Sequence, residues 1–489
     1  MPHPAKRPPA VAPAPDTASL LGTPLSALIR RPALTAAPSA AIQEGAQAMR
    51  DAGVSSVLLV QDGQLQGIVT DRDLRNRVLA QGLPPSLPLA QIASTTLLSL
   101  PPQASALDAL TLMARHNIHH VAVVEGTQLV GVVTPADVGE RQGPSAVQLA
   151  RCIYKADSIQ ALAACSAQVP AMQQTLVRSG AGAHGIARMV TTVTDAVTVR
   201  LIALAQQELG PAPVDWAWVA AGSQARMEQT ARTDQDNCML LADDYDAQAH
   251  GPYFAALARW VCDGLDACGY IHCPGQVMAM TDRWRQPLQQ WRSYFRHWID
   301  QPEALALMLS SVFFDLRTIH GPPGLLEQLR QQELTRAQGS KLFLGLMVGN
   351  ALQQRPPLGL LGGLRPIGSG EHAGTIDLKH GAIAPIVDLA RIYALSAGLQ
   401  AVNTQERLAQ AGAVDGGELS PAASRDLSDA LEFIGSLRLA HQSQQIQAQQ
   451  APDNFVPLAT LSRFEKYQLK QALRMIKELQ AVLARRYQM

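Results

Sequence analysis

Two aspartates spaced by one residue, Asp234 and Asp236, follow a Gly222-Ser223 pair by ten residues, within VAAGSQARMEQTARTDQDNCMLL, Val219 to Leu241. Residues i and i+2 of a strand share a face, so both carboxylates are expected to project together. Neighbouring ionised carboxylates repel unless a cation lies between them. Hard oxygen ligands of this kind suit Mg²⁺, which is usually held by one or two carboxylates plus substrate phosphates. The Gly222-Ser223 turn offers backbone N–H groups and a hydroxyl to the phosphates of a nucleotide. Asp-x-Asp by itself is common, and a surface turn that happens to be acidic has the same letters.

The elements that must position these groups are two apolar runs, Val214 to Ala221 and Cys238 to Leu241, which read as buried strands. The whole pattern (strand, Gly-Ser, ten residues, Asp-x-Asp, strand) resembles the nucleotidyltransferase superfamily that includes DNA polymerase β. GSQAR-M-EQ followed by TDQDN is similar to the bacterial branch related to the uridylyltransferase that modifies the signalling protein PII. The resemblance implies a polymerase-β-like core with a mixed sheet, Mg²⁺ on Asp234 and Asp236, and a nucleoside triphosphate gripped by Gly222 and Ser223. Arg226 either meets a nucleotide phosphate or pairs with a carboxylate, Glu228 reads as a structural partner, and Gln235 should face away from the metal. Two-metal transfer normally wants a third carboxylate. Asp315, in SSVFFDLRTIHG, is the first candidate, with apolar residues leading in and Arg317 two residues on. A similar Phe-Asp-x-Arg segment in the related family supports it; Asp282 is the runner-up. The segment CPGQVMA, Cys273 to Ala279, also resembles the family, and its Pro-Gly turn is expected to approach the site. Cys273 has no His-containing constellation beside it in sequence that would make it a nucleophile.

Residues 23 to 139 repeat themselves. SSVLLVQDGQLQGIVTDRDL, Ser55 to Leu74, and HHVAVVEGTQLVGVVTPADV, His119 to Val138, share a β-branched run, a Gly turn, a second run ending Gly-h-Val-Thr and an Asp three residues on. Apolar residues at helical spacing precede each (Ala41, Ala46, Met49; Leu107, Leu110, Met113), which argues for paired α/β modules. The repeat resembles a tandem pair of cystathionine-β-synthase (CBS) domains. That resemblance implies that Thr70 and Asp73, and Thr134 and Asp137, hold the ribose and phosphate of an adenine nucleotide. The same residues also suit plain helix N-caps.

The expected layout is a disordered Pro/Ala-rich tail at 1–22, the CBS pair at 23–140, a helical connector at 141–213, the transferase core at 214–330 and a helical region at 331–489. That last region is similar to the substrate-binding domain following the module in the same branch. In it Lys379 could reach a phosphate, and Asp388 and Arg391 form an intrahelical pair. Leu469, Leu473, Ile476, Leu479 and Leu483 make one stripe on the final helix, a core or subunit face. With 489 residues, 47% of them apolar, and a net charge of zero, the chain offers no bulk attraction to nucleic acid or anionic membrane. Its six cysteines contain no Cys-x-x-Cys pair and lie on apolar or mixed stretches, which fits reduced thiols in a cytoplasmic protein. The fold class expected is multidomain α/β plus all-α. The function expected is transfer of UMP or AMP to an acceptor, a PII-type protein by resemblance, gated by the CBS pair in a homodimer. The alternative is a non-catalytic adenine-nucleotide sensor.

Overall fold

The computed structural model describes residues 24–488 apart from 30, 31, 96, 105, 117, 127, 136, 138–145, 360 and 361. The tail expected at 1–22 and the start of the helical connector, 141–145, lie outside the described residues. The chain divides into two compact units, one of residues 1–148 with 178–181, the other of 149–177 with 182–489.

In the first unit the sequence repeat becomes a structural one. Strands β1 (Thr35–Ala36), β2 (Ser56–Gln61) and β3 (Gln64–Thr70) form one sheet, and β4 (Ser99–Leu100), β5 (Val121–Glu125) and β6 (Gln128–Val133) form its counterpart. Each pairs its first two strands in parallel and its last two as a hairpin. The register is equivalent as well: Leu59 faces Gly67, Val123 faces Gly131, and both ladders shift immediately after. Gly131 is needed there, since a Cβ would lie 2.8 Å from Ile29. The Ile42–Ala52 helix closes the first core with Ile42 and Met49 against Val57, Leu59 and Val69.

The second unit is built on a four-stranded mixed sheet in the order β10-β7-β8-β9, from Trp216–Ala221 (β7), Asn237–Leu241 (β8), Arg285–Pro287 (β9) and Leu316–His320 (β10). Every residue of β7 and β8 is buried, as their unbroken apolar runs require of strands covered on both faces. The 27-residue helix Ala183–Leu209 packs along the Gly251–Ala267 helix. By length and composition it is apolar enough to cross a membrane, but 72% of its apolar window is buried inside the fold, as in the core helix of a globular unit. The helices Ala384–Ser396, Thr404–Gly412, Pro421–Gln447 and Arg463–Arg486 complete the same unit. On the last of these Leu469, Leu473, Ile476 and Leu483 are buried, so the stripe faces this chain's own core.

Two expectations are corrected here. Cys152 and Cys165 are joined in a disulfide with Cα atoms 5.9 Å apart, so only four of the six thiols are free. The thirteen-residue spacing hid a contact made by two successive helices, Ala146–Lys155 and Ile159–Ser166. The apolar run before Asp315 is a helix, Ala304–Phe313, and the strand begins only at Leu316.

Candidate active site

Asp234 and Asp236 lie where the chain enters β8. Asp234 bridges Ile271 in parallel, and the Asp236 carbonyl accepts from Ala221 N–H at 2.9 Å. The alternation holds: Gln235 between them is buried and donates to the carbonyls of Cys262 and Tyr270 at 3.0 Å, away from the carboxylates. The third ligand-type atom beside the two aspartates is the Cys273 sulfur, and all three lie within 4.8 Å of one another. The Pro-Gly turn is stitched in by Asn237, whose N–H donates to the Val277 carbonyl at 3.1 Å and whose Oδ1 accepts from Ala279 N–H at 2.8 Å.

The electrostatics show a deficit of positive charge. Burial, and then the Asp234 carboxylate, push the Asp236 carboxyl up to about 6, although Cys273, Lys379 and Arg226 pull the other way. Burial, then Asp236, push the Cys273 thiol up to about 11. A pair of carboxylates short of compensation suits a divalent cation, so the residues present fit the metal that the strand pattern implies.

Gly222 and Ser223 open a four-residue helical turn, Gly222–Ala225, directly off β7. Gly222 has φ +56°, and a Cβ on it would stand 2.9 Å from Asp236 Oδ2. Only glycine lets the backbone pass so close to the carboxylate. The turn is held from below by Asp195, an acidic residue inside the apolar Ala183–Leu209 helix. Asp195 accepts from Gln224 Nε2 at 3.1 Å and from both terminal nitrogens of Arg317 at 2.8 and 3.0 Å, and Arg317 in turn donates to the carbonyls of Gln224 and Ala225. Sequence reasoning missed Asp195; a lone carboxylate in TTVTDAVTV was the available signal.

Asp315 does not serve as the third carboxylate. It is fully buried, and its two oxygens accept from Arg391 (3.1 and 2.6 Å), Arg407 (2.5 Å) and Arg226 (2.7 Å). Burial alone would push its carboxyl up; the three guanidiniums outweigh burial and hold it far below the usual range. With both oxygens committed to cations, it is an ionic hub and not a metal ligand or base. Arg226 follows its carboxylate alternative, pairing with Asp315 and, at 2.7 Å, with Glu228. Glu228 is the structural partner expected, and also accepts from Thr404 N–H at 2.9 Å. The runner-up, Asp282, has an 89% exposed side chain and pairs with Arg285. The Asp388–Arg391 pair forms at 2.6 Å, but Arg391 uses its other edge on Asp315. Arg407, in the segment NTQERL (Asn403 to Leu408), carried no signal in sequence because its partner lies 92 residues away. Lys379 comes from the helical region and acts on Asp236.

In the first unit Thr70 donates through Oγ1 and N–H to Asp73 Oδ2 at 2.7 and 3.0 Å, and Thr134 to Asp137 Oδ2 at 2.6 and 2.8 Å. The two motifs converge: His120 senses Asp71, Asp137 and Asp73 together and bonds Ser55 Oγ at 2.9 Å, while burial holds its pKa low. Thr70 and Asp73 also form a capping box, so the cap and the candidate ribose contact are the same pair of residues.

Comparison with known proteins agrees with this division. Residues 25–80 and 89–140 match the CBS domain. Residues 167–304 match the family described as "Putative nucleotidyltransferase DUF294", beginning within the helices that precede the sheet. Residues 341–487 match the "Putative nucleotidyltransferase substrate binding domain". CBS domain-containing protein YhcV of Bacillus subtilis is 38% identical over 108 residues, covering 22% of this chain and 77% of that protein. Uncharacterized protein YlbB of the same organism is 36% identical over 99 residues, 20% of this chain and 67% of its own. The CBS domain protein PAE2072 from Pyrobaculum aerophilum, solved in complex with AMP, is 28% identical and aligns over 24% of this chain and 93% of its own, with a TM-score of 0.23. The chain belongs to the CBS-domain proteins and joins that pair to a nucleotidyltransferase module and its substrate-binding domain.

Proposed function

We propose that the protein transfers a nucleoside monophosphate, UMP or AMP, from its triphosphate to an acceptor of the PII type, under control of an adenine nucleotide on the CBS pair. The observation that carries this is the Asp234–Asp236 pair, short of positive charge and set against the backbone of Gly222. Mg²⁺, when bound, supplies charge neutralisation to the triphosphate. Asp234 and Asp236 hold it, Gly222 and Ser223 receive the phosphates, and Lys379 adds a cation from the substrate-binding domain. The acceptor hydroxyl attacks the α-phosphorus in line, passing its proton to solvent as the new bond forms. The bond to the bridging oxygen breaks and pyrophosphate leaves.

Labelled nucleoside triphosphates, Mg²⁺ and a PII-type protein provide the test. Transfer with pyrophosphate release, lost on Asp234→Ala by at least about a hundredfold with the fold intact, is the expected outcome. Unchanged turnover in that variant would sink the site assignment. Tight AMP binding that weakens on Asp73→Ala and Asp137→Ala, with no transfer to any acceptor, would favour the sensor reading.

A further inference from the structure

We propose that Cys273 is itself a ligand of the Asp234–Asp236 metal site, so that the site accepts a thiophilic divalent cation of the Zn²⁺ or Cd²⁺ class as well as Mg²⁺. The inference rests on the reading of that pair as a metal site, and adds to it the chemistry of the third corner. Asp315 cannot supply that corner, being enclosed by Arg226, Arg391 and Arg407. The sulfur is there instead, within 4.8 Å of both carboxylates. Four-coordinate zinc holds sulfur at ~2.3 Å and carboxylate oxygen at ~2.0–2.2 Å, which sets its ligand atoms roughly 3.3–3.8 Å apart. Contraction by about an ångström closes the triad, and the sulfur sits on a short turn, with Gln276 N–H donating back to the Cys273 carbonyl at 2.9 Å.

The backbone N–H groups of Gly275 and Val277 hydrogen-bond the sulfur. Cys273 is 9% exposed, so the sulfur is screened from solvent yet faces the carboxylates. Among the described residues, the other free thiols, Cys238, Cys262 and Cys268, belong to no such group. Thiolate ligands select soft and borderline cations, whereas Mg²⁺ keeps to oxygen, so Mg²⁺ leaves Cys273 protonated and unbound. A thiophilic ion forms a metal–sulfur bond as the S–H bond breaks and the proton passes to solvent, with no change in oxidation state.

The test uses the metal-stripped full chain, titrated with Co²⁺ and Cd²⁺ and followed by thiolate-to-metal charge-transfer absorption, with Mn²⁺ binding followed by electron paramagnetic resonance. A charge-transfer band that disappears in Cys273→Ser and Cys273→Ala, with Cd²⁺ affinity falling roughly 10–100-fold and Mn²⁺ affinity by less than about threefold, is the expected result. A band that is absent from the parent protein, or that survives in both variants, while Mn²⁺ still binds and needs Asp234, overturns the cysteine assignment alone. Failure of Mn²⁺ and Cd²⁺ alike to bind, or binding of both unchanged in Asp234→Asn, overturns the metal reading beneath it.

Discussion

At the scale of single residues, two carboxylates of the same unit, Asp236 and Asp315, acquire opposite properties. Asp236 is raised to about 6 because burial and Asp234 penalise its charge. A raised carboxyl stabilises the fold below the unfolded value, near 3.8, and loses that contribution as pH rises through about 6. The metal-free protein should therefore lose stability between about pH 4 and 7 on this account, by about 2 kcal/mol after allowing for partial exposure. Asp236→Asn should remove that dependence and raise the melting temperature of metal-free protein at pH 7; calorimetry across this window checks it. Metal affinity should fall below about pH 6 as protons compete for the same oxygen. Asp315 behaves in the reverse sense, since its depressed carboxyl stabilises the fold above the ordinary carboxylate range and loses this only in strong acid. Asp315→Asn removes the counter-charge shared by three buried guanidiniums, leaving Arg226 with Glu228 and Arg391 with Asp388 but taking from Arg407 its carboxylate, and should cost about 3–5 kcal/mol in denaturant unfolding.

At the scale of elements, the site is the junction of β7, the Gly222–Ala225 turn and the entry to β8, each held by a different support. The Ala183–Leu209 helix grips the turn through Asp195, and Arg317 on β10 clamps it from the adjacent strand. Aromatic packing seats the segment that delivers Asp315: Phe313 lies 4.5 Å from the Trp284 ring and 5.3 Å from that of Trp298, centroid to centroid. Gly222→Ala tests the junction directly. Its Cβ would press on Asp236 Oδ2 at 2.9 Å and its backbone would remain at φ +56°. A stability loss of about 1–2 kcal/mol is expected, with a larger proportional loss of Mn²⁺ affinity. Calorimetry and titration on the same variant separate the two effects, and retention of full Mn²⁺ affinity would show that the glycine serves only the backbone.

At the scale of the whole molecule, the transferase core and the substrate-binding domain lie in one compact unit. The hub is divided between them: Asp315 and Arg226 come from the core, while Arg391 and Arg407 come from the helical region. Asn403 and Thr404 reinforce the seam by donating to the Arg226 carbonyl and to Glu228. Residues 149–340 produced alone should therefore be insoluble or lack cooperative unfolding, because Asp315 would keep one arginine of three and the core would expose the covered apolar face. A soluble, cooperatively unfolding fragment would refute the single-unit description. The CBS pair stands as a separate compact unit.

What the sequence determined by itself was local. Alternation placed Asp234 and Asp236 on one face with Gln235 on the other, because a strand's period of two depends only on neighbouring residues. The repeat of residues 23–139 likewise announced its paired modules, and the stripe from Leu469 to Leu483 announced a buried helix face. What tertiary structure alone decided was which distant charges meet. The Phe-Asp-x-Arg segment looked like a third metal ligand, yet Asp315 went to Arg226, Arg391 and Arg407, 76 to 92 residues away. The third corner beside the aspartates went instead to Cys273, carried there by the hydrogen bonds of Asn237. The Cys152–Cys165 disulfide was settled in the same way, by the packing of two helices. Ion pairing and sulfur contacts follow distance in space, and spacing along the chain does not encode it.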